Sequence, residues 1–444
     1  MKFFLPAILL LVNFCYCTSQ EKKNTENTYP AALLRQDITQ LENALIELHS
    51  GVDRHVPLKE IREGFQKTRT TLNHDLTSFE FYRLLAPLVA SIQCGHTRII
   101  PSEELRAHFD SAVSFFPLPV KVSENRLFAK LKDESIIEIT QINNQSVEDI
   151  LQKIYSSFPV DGQANSAKQD YVSEQFSRYY FMFVNHKIRK FDLRIVQMRT
   201  SHDNENIALQ PVNASSLVIE NAVPPIEFSM RNGVGYLKVN TFSSYSYRHS
   251  GIGYEDFLKK TFSSLKSESV DKLVVDIRDN GGGDDQYGAL LFSYVAQKPF
   301  GYFKRVYKKD GHGTVDIGHP CVQLQHPQAD AFNGTVCLLI NGRTFSTAAD
   351  VASMFRSNKR AAIIGTETGG GYEGNTSGES ERVELNNSHI SIQIPRWFYE
   401  NAVVPAPQQH RGTIPDYVAN KKTADLFDKS RDPELDLAFE VLSK

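Results

Sequence analysis

Apolar residues recur along the chain in three rhythms, and each rhythm predicts a different kind of element. Leu34, Ile38, Leu41, Leu45 and Leu48 return at helical spacing, and Phe81, Leu84, Leu85, Leu88 and Ile92 form a second such stripe. The second stripe follows Thr77-Ser78-Phe79-Glu80, which has the Thr-x-x-Glu form of a capping box. This helix is expected to end at Gly95, the residue type that most easily takes the left-handed conformation beyond a terminus, so that His96 emerges from a rigid helix end. From about residue 112 to 215 the rhythm shifts to short β-rich runs such as Leu127-Phe128-Ala129 and Ile136-Ile137-Glu138-Ile139. A helix from Ser146 to Ile154 follows them. A strand at Val234 to Val239 then opens a third region, where apolar runs (Leu273 to Ile277, Val336 to Ile340, Ala361 to Ile364) alternate with helices at Tyr287 to Ala296 and Thr347 to Phe355. That alternation predicts an α/β fold with a mainly parallel sheet and its chemistry at the strand ends.

Length and composition refine this picture. At 444 residues the chain exceeds one compact core, and ~150 residues per domain suggests two or three. Hydrophobic residues at 41% and charged residues at 23% are ordinary for soluble globular proteins. A net charge of -3 and the lack of a basic stripe exclude nucleic acid as an expected partner. Lys2, the apolar run Leu5 to Phe14 and the exit around Cys15, Cys17 and Ser19 read as a secretory signal over residues 1–19, too short to span a bilayer. Bulky Phe14 and Tyr16 before the two cysteines favour simple cleavage over a lipid anchor at Cys15 or Cys17. No later run forms a membrane span, and the expected location is periplasmic or extracellular. Cys94, Cys321 and Cys337 then remain, enough for one disulfide at most. The expected organisation is a helical region over 20–110 that contributes His96, a separate small β-rich domain over 111–215, and the sheet-bearing region over 216–444.

Candidate chemistry gathers at two strand ends. After the run ending at Ile340 comes Asn341-Gly342-Arg343-Thr344-Phe345-Ser346 and a helix opening with Thr347-Ala348-Ala349. Ser346 therefore sits at a strand-to-helix turn, where unpaired backbone N–H groups favour a developing negative charge. The bland alternative is that Ser346 is only an N-cap. The run through Asp276-Ile277-Arg278 leads into Asp279-Asn280-Gly281-Gly282-Gly283, whose glycines allow close backbone approach. A glycine N–H and the N–H of Thr347 would then form an oxyanion hole; a flexible turn and a phosphate loop are the other readings, the latter disfavoured by Asp279, Asp284 and Asp285. A hydroxyl nucleophile needs a base, and among 13 histidines His96 is the one fixed in a Gly-containing turn, though a lone histidine of this kind is often structural.

Together, Asp276-Ile277-Arg278-Asp279-Asn280-Gly281-Gly282-Gly283, Gly342-Arg343-Thr344-Phe345-Ser346-Thr347-Ala348, Gly365-Thr366-Glu367-Thr368-Gly369-Gly370 and Gly412-Thr413-Ile414-Pro415-Asp416 resemble the tail-specific, C-terminal processing serine peptidase family over about residues 225 to 420. The resemblance implies a catalytic core of the crotonase and caseinolytic-protease type, with a PDZ-like peptide-binding domain whose carboxyl-terminal half resembles Ile136 to Ile154. The lysine base of the bacterial members would fall at Gly371 and is absent. Gly95-His96-Thr97 instead resembles the tricorn-like and retinoid-binding-protein-like branch, which makes His96 the expected base. The acid that this branch carries before its Gly-x-x-Pro-Asp motif is replaced by Gln408-Gln409-His410, leaving Glu367 and Glu373 as candidates to orient the histidine.

The implied activity is hydrolysis of proteins or peptides through a Ser346 acyl-enzyme, with the N–H groups of Gly282 and Thr347 holding the oxyanion and no cofactor or metal required. The rival is a non-catalytic peptide- or ligand-binding protein on the same core, or a scaffold whose small domain captures peptide tails. His312, His319, Cys321 and His326 match no standard zinc spacing. Asp284-Asp285 at a helix start suits the helix dipole better than glycosidase chemistry.

Overall fold

The computed structural model describes residues 26–198, 205–217, 223–310, 313–407 and 409–444. The signal segment with Cys15 and Cys17, and the residues His312 and Gln408, lie outside these. No helix among the described residues is long and apolar enough to cross a membrane.

The amino-terminal region pairs β1 (Thr28–Tyr29) with β2 (Leu76–Thr77) around α1 (Ala31–Leu48) and α2 (Leu58–Thr71), then continues into α3 (Ser78–Ala90), β3 (Arg98–Ile100) and α4 (Glu103–Ser111). The α1 stripe buries Leu34, Ile38, Leu41 and Leu45 as its spacing predicts. Helix α2 has no counterpart in the sequence reading, because it buries just Ile61 and Phe65 and otherwise presents polar residues. The capping box at α3 is formed: Glu80 N–H donates to Thr77 Oγ1 at 3.3 Å and Thr77 N–H donates to the Glu80 carboxylate at 2.8 Å. The end of α3 corrects the expectation. The helix stops at Ala90, and the left-handed turn falls on Gln93 (φ 58°) instead of Gly95.

The next region builds an antiparallel sheet from β4 (Val120–Ser123), β5 (Arg126–Lys130), β6 (Ile136–Ile142), β7 (Gln145–Ser146), β8 (Phe191–Gln197) and β9 (Glu205–Leu209), ordered β4-β5-β6-β8-β9 with β7 on β6. Two helices, α5 (Val147–Ser157) and α6 (Asn165–Tyr179), lie between β7 and β8. One continuous cluster of buried apolar residues joins this region to the first: Phe79, Leu85 and Leu88 of α3 share it with Ile150 and Ile154 of α5 and with Phe191 and Leu193 of β8.

The carboxy-terminal half contains, in order, β10 (Ile226–Arg231), β11 (Val234–Val239), α7 (Ser244–Ser250), α8 (Tyr254–Ser267), β12 (Lys272–Asp276), α9 (Asp285–Ser293), β13 (Phe303–Asp310), β14 (Gly313–Asp316), β15 (Thr335–Ile340), α10 (Thr347–Ser357), β16 (Ala362–Gly365), β17 (Thr376–Glu384), β18 (Ser391–Asn401) and α11 (Pro433–Ser443). The four predicted strands are present in the sheet β10-β11-β12-β15-β16, parallel from β11 onward, with β10 an unpredicted antiparallel strand on its edge. The central strands β12 and β15 read as unbroken apolar runs because both faces are covered. Leu273 and Val275, with Val336, Leu338 and Ile340, face the core shared with α8, α9 and α10. Val274, Cys337 and Leu339 face the opposite core under α11.

A second, antiparallel sheet, β14-β13-β18-β17, was not foreseen. Strand β3 pairs with the start of β18, Arg98 opposite Gln393 and Ile99 opposite Ile392, so the chain just after His96 is stitched to the carboxy-terminal half. The long strand β18 contributes Ile392 and Ile394 to the amino-terminal core and Tyr399 to the other.

Candidate active site

Two strand ends of the parallel sheet are laced together at the site. Beyond β15, Asn341 Oδ1 accepts from Asp279 N–H at 3.0 Å and its Nδ2 donates to Asp279 Oδ1 at 2.8 Å. Thr344 Oγ1 donates to the Ile277 carbonyl at 3.0 Å, and Phe345 N–H donates to the Asn280 carbonyl at 3.0 Å. Between them these bonds hold Phe345 and Ser346 against the glycine run that follows β12.

Ser346 occupies the N-cap position of α10 but does not act as a cap: it has φ 55° and ψ -133°, and its side chain bonds no N–H of the helix. A non-glycine residue held at positive φ costs about 1–3 kcal/mol. The half-buried hydroxyl is thus displayed at the positive end of an 11-residue helix without the compensation a cap would bring. Gly282 lies directly beside it. A Cβ placed on Gly282 (φ 98°) would fall 2.7 Å from Ser346 Cβ and 3.0 Å from Thr347 N, so the position admits glycine alone. Thr347 N–H has no hydrogen-bond partner among the described residues, while its hydroxyl sits 2.9 Å from the Gly283 carbonyl and 2.8 Å from Asp285 Oδ1. The N–H of Gly282 is occupied, donating to Asn280 Oδ1 at 2.9 Å.

His96, 250 residues earlier, arrives at the same place. Its ring stacks on Phe345, with centroids 4.5 Å apart and planes inclined by 29°. Gly95 makes this possible, since a Cβ there would lie 2.7 Å from the Phe345 ring. The glycine is needed for close approach and not for a left-handed turn. No hydrogen bond joins His96 to Ser346, and His96 Nδ1 is buried without a partner. Burial, reinforced by the positive charge of Arg98 and the neighbouring His49, pushes the imidazole down to about 3, so the ring is neutral.

The acids near the ring differ from those the sequence suggested. Glu367 is bound by Arg411, Nε to Oε1 at 2.8 Å and Nη2 to Oε2 at 2.5 Å, and accepts from Gly412 N–H at 2.8 Å. It fastens the Gly412 to Asp416 motif to the end of β16. Glu373 is exposed. The carboxylate beside the histidine is Asp161, in the loop between α5 and α6, which sequence reasoning missed. Asp161 is buried and accepts Gly95 N–H at 2.8 Å and Gly371 N–H at 3.4 Å. Burial pushes its carboxyl up to about 6 against the opposing pull of those N–H groups and Arg54. The segment around Gln409 and His410 packs on the same loop, with Gln163 N–H donating to the His410 carbonyl at 3.0 Å.

One group among the described residues has metal-ligand character: Cys94 Sγ, a ring nitrogen of His96 and an Asp161 oxygen lie within 4.8 Å of one another. The carboxylate is already engaged by two N–H groups and the Cys94 thiol donates to the Thr376 carbonyl at 3.4 Å, so these ligands serve internal bonds. Elsewhere, His319 caps a short turn through Cys321 N–H and pairs with Asp285 at 3.4 Å, and His326 is exposed. The three described cysteines are free and buried.

Residues 233–419 match the model of peptidase family S41. That region of the chain is similar to the family. The S41 segment covers the parallel strands β11, β12, β15 and β16, the Ser346 turn and the Glu367 and Gly412 loops, and leaves β10, His96 and Asp161 outside it. A carboxyl-terminal-processing peptidase 2, chloroplastic, of Arabidopsis thaliana is 27% identical over 137 residues, which is 31% of this chain and 24% of that protein. The match therefore spans about a quarter of the relative's length. Beyond the S41 segment the likeness extends to overall fold: mature CPAF aligns with a TM-score of 0.63 at 14% identity, covering 93% of this chain and 96% of that one. A putative peptidase from Parabacteroides merdae aligns with a TM-score of 0.50 at 16% identity, over 93% and 97% of the two chains.

Proposed function

We propose that the protein is an exported serine peptidase that hydrolyses proteins or peptides with Ser346 as nucleophile, His96 as general base and Asp161 as the acid that orients it. The observation that carries this reading is the uncapped, left-handed Ser346 at the start of α10, with the His96 ring stacked on the residue before it. The S41 match supports the same chemistry, and export rests on the pattern of Lys2 and Leu5 to Phe14. The core is of the crotonase type, and the β4 to β9 sheet with α5 is the PDZ-like element.

In this mechanism His96 turns from its stack on Phe345 to accept the Ser346 proton as Oγ attacks the peptide carbonyl. Negative charge on the tetrahedral oxygen is held by Thr347 N–H and by Gly282 N–H, the latter released from Asn280 as the oxyanion forms. The imidazolium passes its proton to the departing amine and the C–N bond breaks. Water, deprotonated by His96, then cleaves the acyl ester and restores Ser346. Asp161 stabilises the imidazolium from the site where Gly371 N–H also points, so the histidine works beside the backbone position that carries the base lysine in bacterial relatives. The loop bearing Asp161 also lies against His410, which brings a carboxylate to the segment where this branch otherwise carries its acid.

The occupied Gly282 N–H and the missing Ser346 to His96 bond favour a second reading, a binding protein without turnover. Cleavage of unstructured peptide mixtures separates the two. Turnover by wild type that is lost in Ser346→Ala and His96→Ala supports the peptidase; binding without cleavage, unchanged by Ser346→Ala, supports the binding protein.

A further inference from the structure

A cavity of about 340 Å³ opens next to the Ser346–His96 pair, and two of its wall residues are Gly95 and Phe345, the residues directly before the two catalytic side chains. Its volume is near the lower end of ligand-sized pockets, roughly 300–1,000 Å³, and accommodates one large side chain. One wall comes from α6 around its kink at Gln175 (φ -118°, ψ 16°), with Tyr171 before the kink and Tyr179 after it. Phe158 bridges the two tyrosines, with ring centroids 5.2 Å from Tyr171 and 5.3 Å from Tyr179. Both tyrosines are half-buried, and neither hydroxyl makes a hydrogen bond among the described residues, so their apolar ring surface is presented to the cavity without a competing polar role. Arg98 also lines the cavity; it is exposed and forms no ion pair among the described residues.

We infer that this cavity is the specificity pocket of the peptidase, seating a large apolar or aromatic side chain of the substrate next to the scissile bond and rejecting lysine and arginine through the charge of Arg98. The inference rests on the serine-peptidase reading and adds the substrate class to it. Aromatic walls reward burial of apolar surface. The guanidinium within reach of the same space makes a second cation unfavourable, the repulsive element that specificity often requires. Gly95 and Phe345 border the cavity, so its occupant lies beside the residues that immediately precede His96 and Ser346, the place a side chain of the substrate next to the scissile bond would take.

The test uses the full chain and quenched peptides of one frame that differ at a single residue beside the scissile bond: Phe, Leu, Ala or Lys. The expected result is a kcat/KM for Phe and Leu about 10- to 100-fold above Ala, the range that burying one large apolar side chain provides, with Lys cleaved more slowly than Ala. Tyr171→Ala lowers the Phe-to-Ala ratio by about tenfold, and Arg98→Glu, a change at an exposed side chain, raises the Lys-to-Phe ratio by about tenfold. Equal cleavage of all four peptides, or ratios unmoved in both variants, overturns the pocket assignment while leaving the peptidase reading in place. No cleavage of any peptide, with Ser346 inert to serine-directed probes, overturns both.

Discussion

The parallel sheet and the amino-terminal helices contribute one residue each to the proposed site, in different ways. Ser346 is placed by local sequence: an apolar strand, a short turn and an alanine-rich helix fix its position within a dozen residues. His96 is placed by distant contacts, through Gly95 against Phe345, Asp161 against Gly95 N–H and β3 against β18. The placement of the proposed nucleophile at a strand-to-helix turn is a property of its segment, whereas the placement of the proposed base is a property of the assembled fold.

Changes on the two sides should therefore fail differently. Ser346→Ala is expected to lower kcat by about 10⁴- to 10⁶-fold with little change in thermal midpoint, measured by peptide cleavage and calorimetry. Gly95→Val acts through packing: its side chain collides with Phe345, so activity should drop by about 100- to 1,000-fold while Ser346→Ala-type stability is retained at the sheet. Hydrogen exchange that stays unchanged in β12 and β15 but rises around β3 would confirm that separation.

Asp161→Asn tests the orienting carboxylate and should cost about 100-fold in kcat. In wild type, kcat/KM falls as pH drops through about 6, where burial has placed the Asp161 carboxyl, and this limb disappears in the variant. Stability has the opposite sign. A carboxyl raised from 3.8 to about 6 binds its proton more tightly in the folded state, so its contribution falls as pH rises across that window. The stability difference between wild type and Asp161→Asn should therefore change between pH 4 and 6 and be flat above 7. On stability alone the change is small for Ser346→Gly, which relieves the positive φ and should raise stability by about 1 kcal/mol over Ser346→Ala.

The sequence made the parallel sheet legible because each strand is a short unbroken apolar run bounded by glycine or a helix start, a pattern set by burial on both faces. The capping box at Thr77 was equally local. Strands β17 and β18 escaped notice because β17 is mostly exposed and polar and β18 is defined by pairing with β13 and β3. Gly95 was identified for the wrong reason, since its role is the space it leaves for Phe345. Asp161 gave no local signal at all: the Asp161-Gly162 pair looks like a turn, and its importance appears once Gly371 and Gly95 are brought to it from 210 and 66 residues away. Glu367 was a reasonable candidate by position, but Arg411 claims it.

The most direct test of the central claim is intact-mass analysis of the purified protein after treatment with a fluorophosphonate, with the adduct mapped by peptide fragmentation. One adduct is expected, on Ser346, formed rapidly in wild type, at least 100-fold more slowly in His96→Ala, and absent in Ser346→Ala. An unmodified wild-type protein, or labelling of Ser346 at the same rate with and without His96, would contradict it.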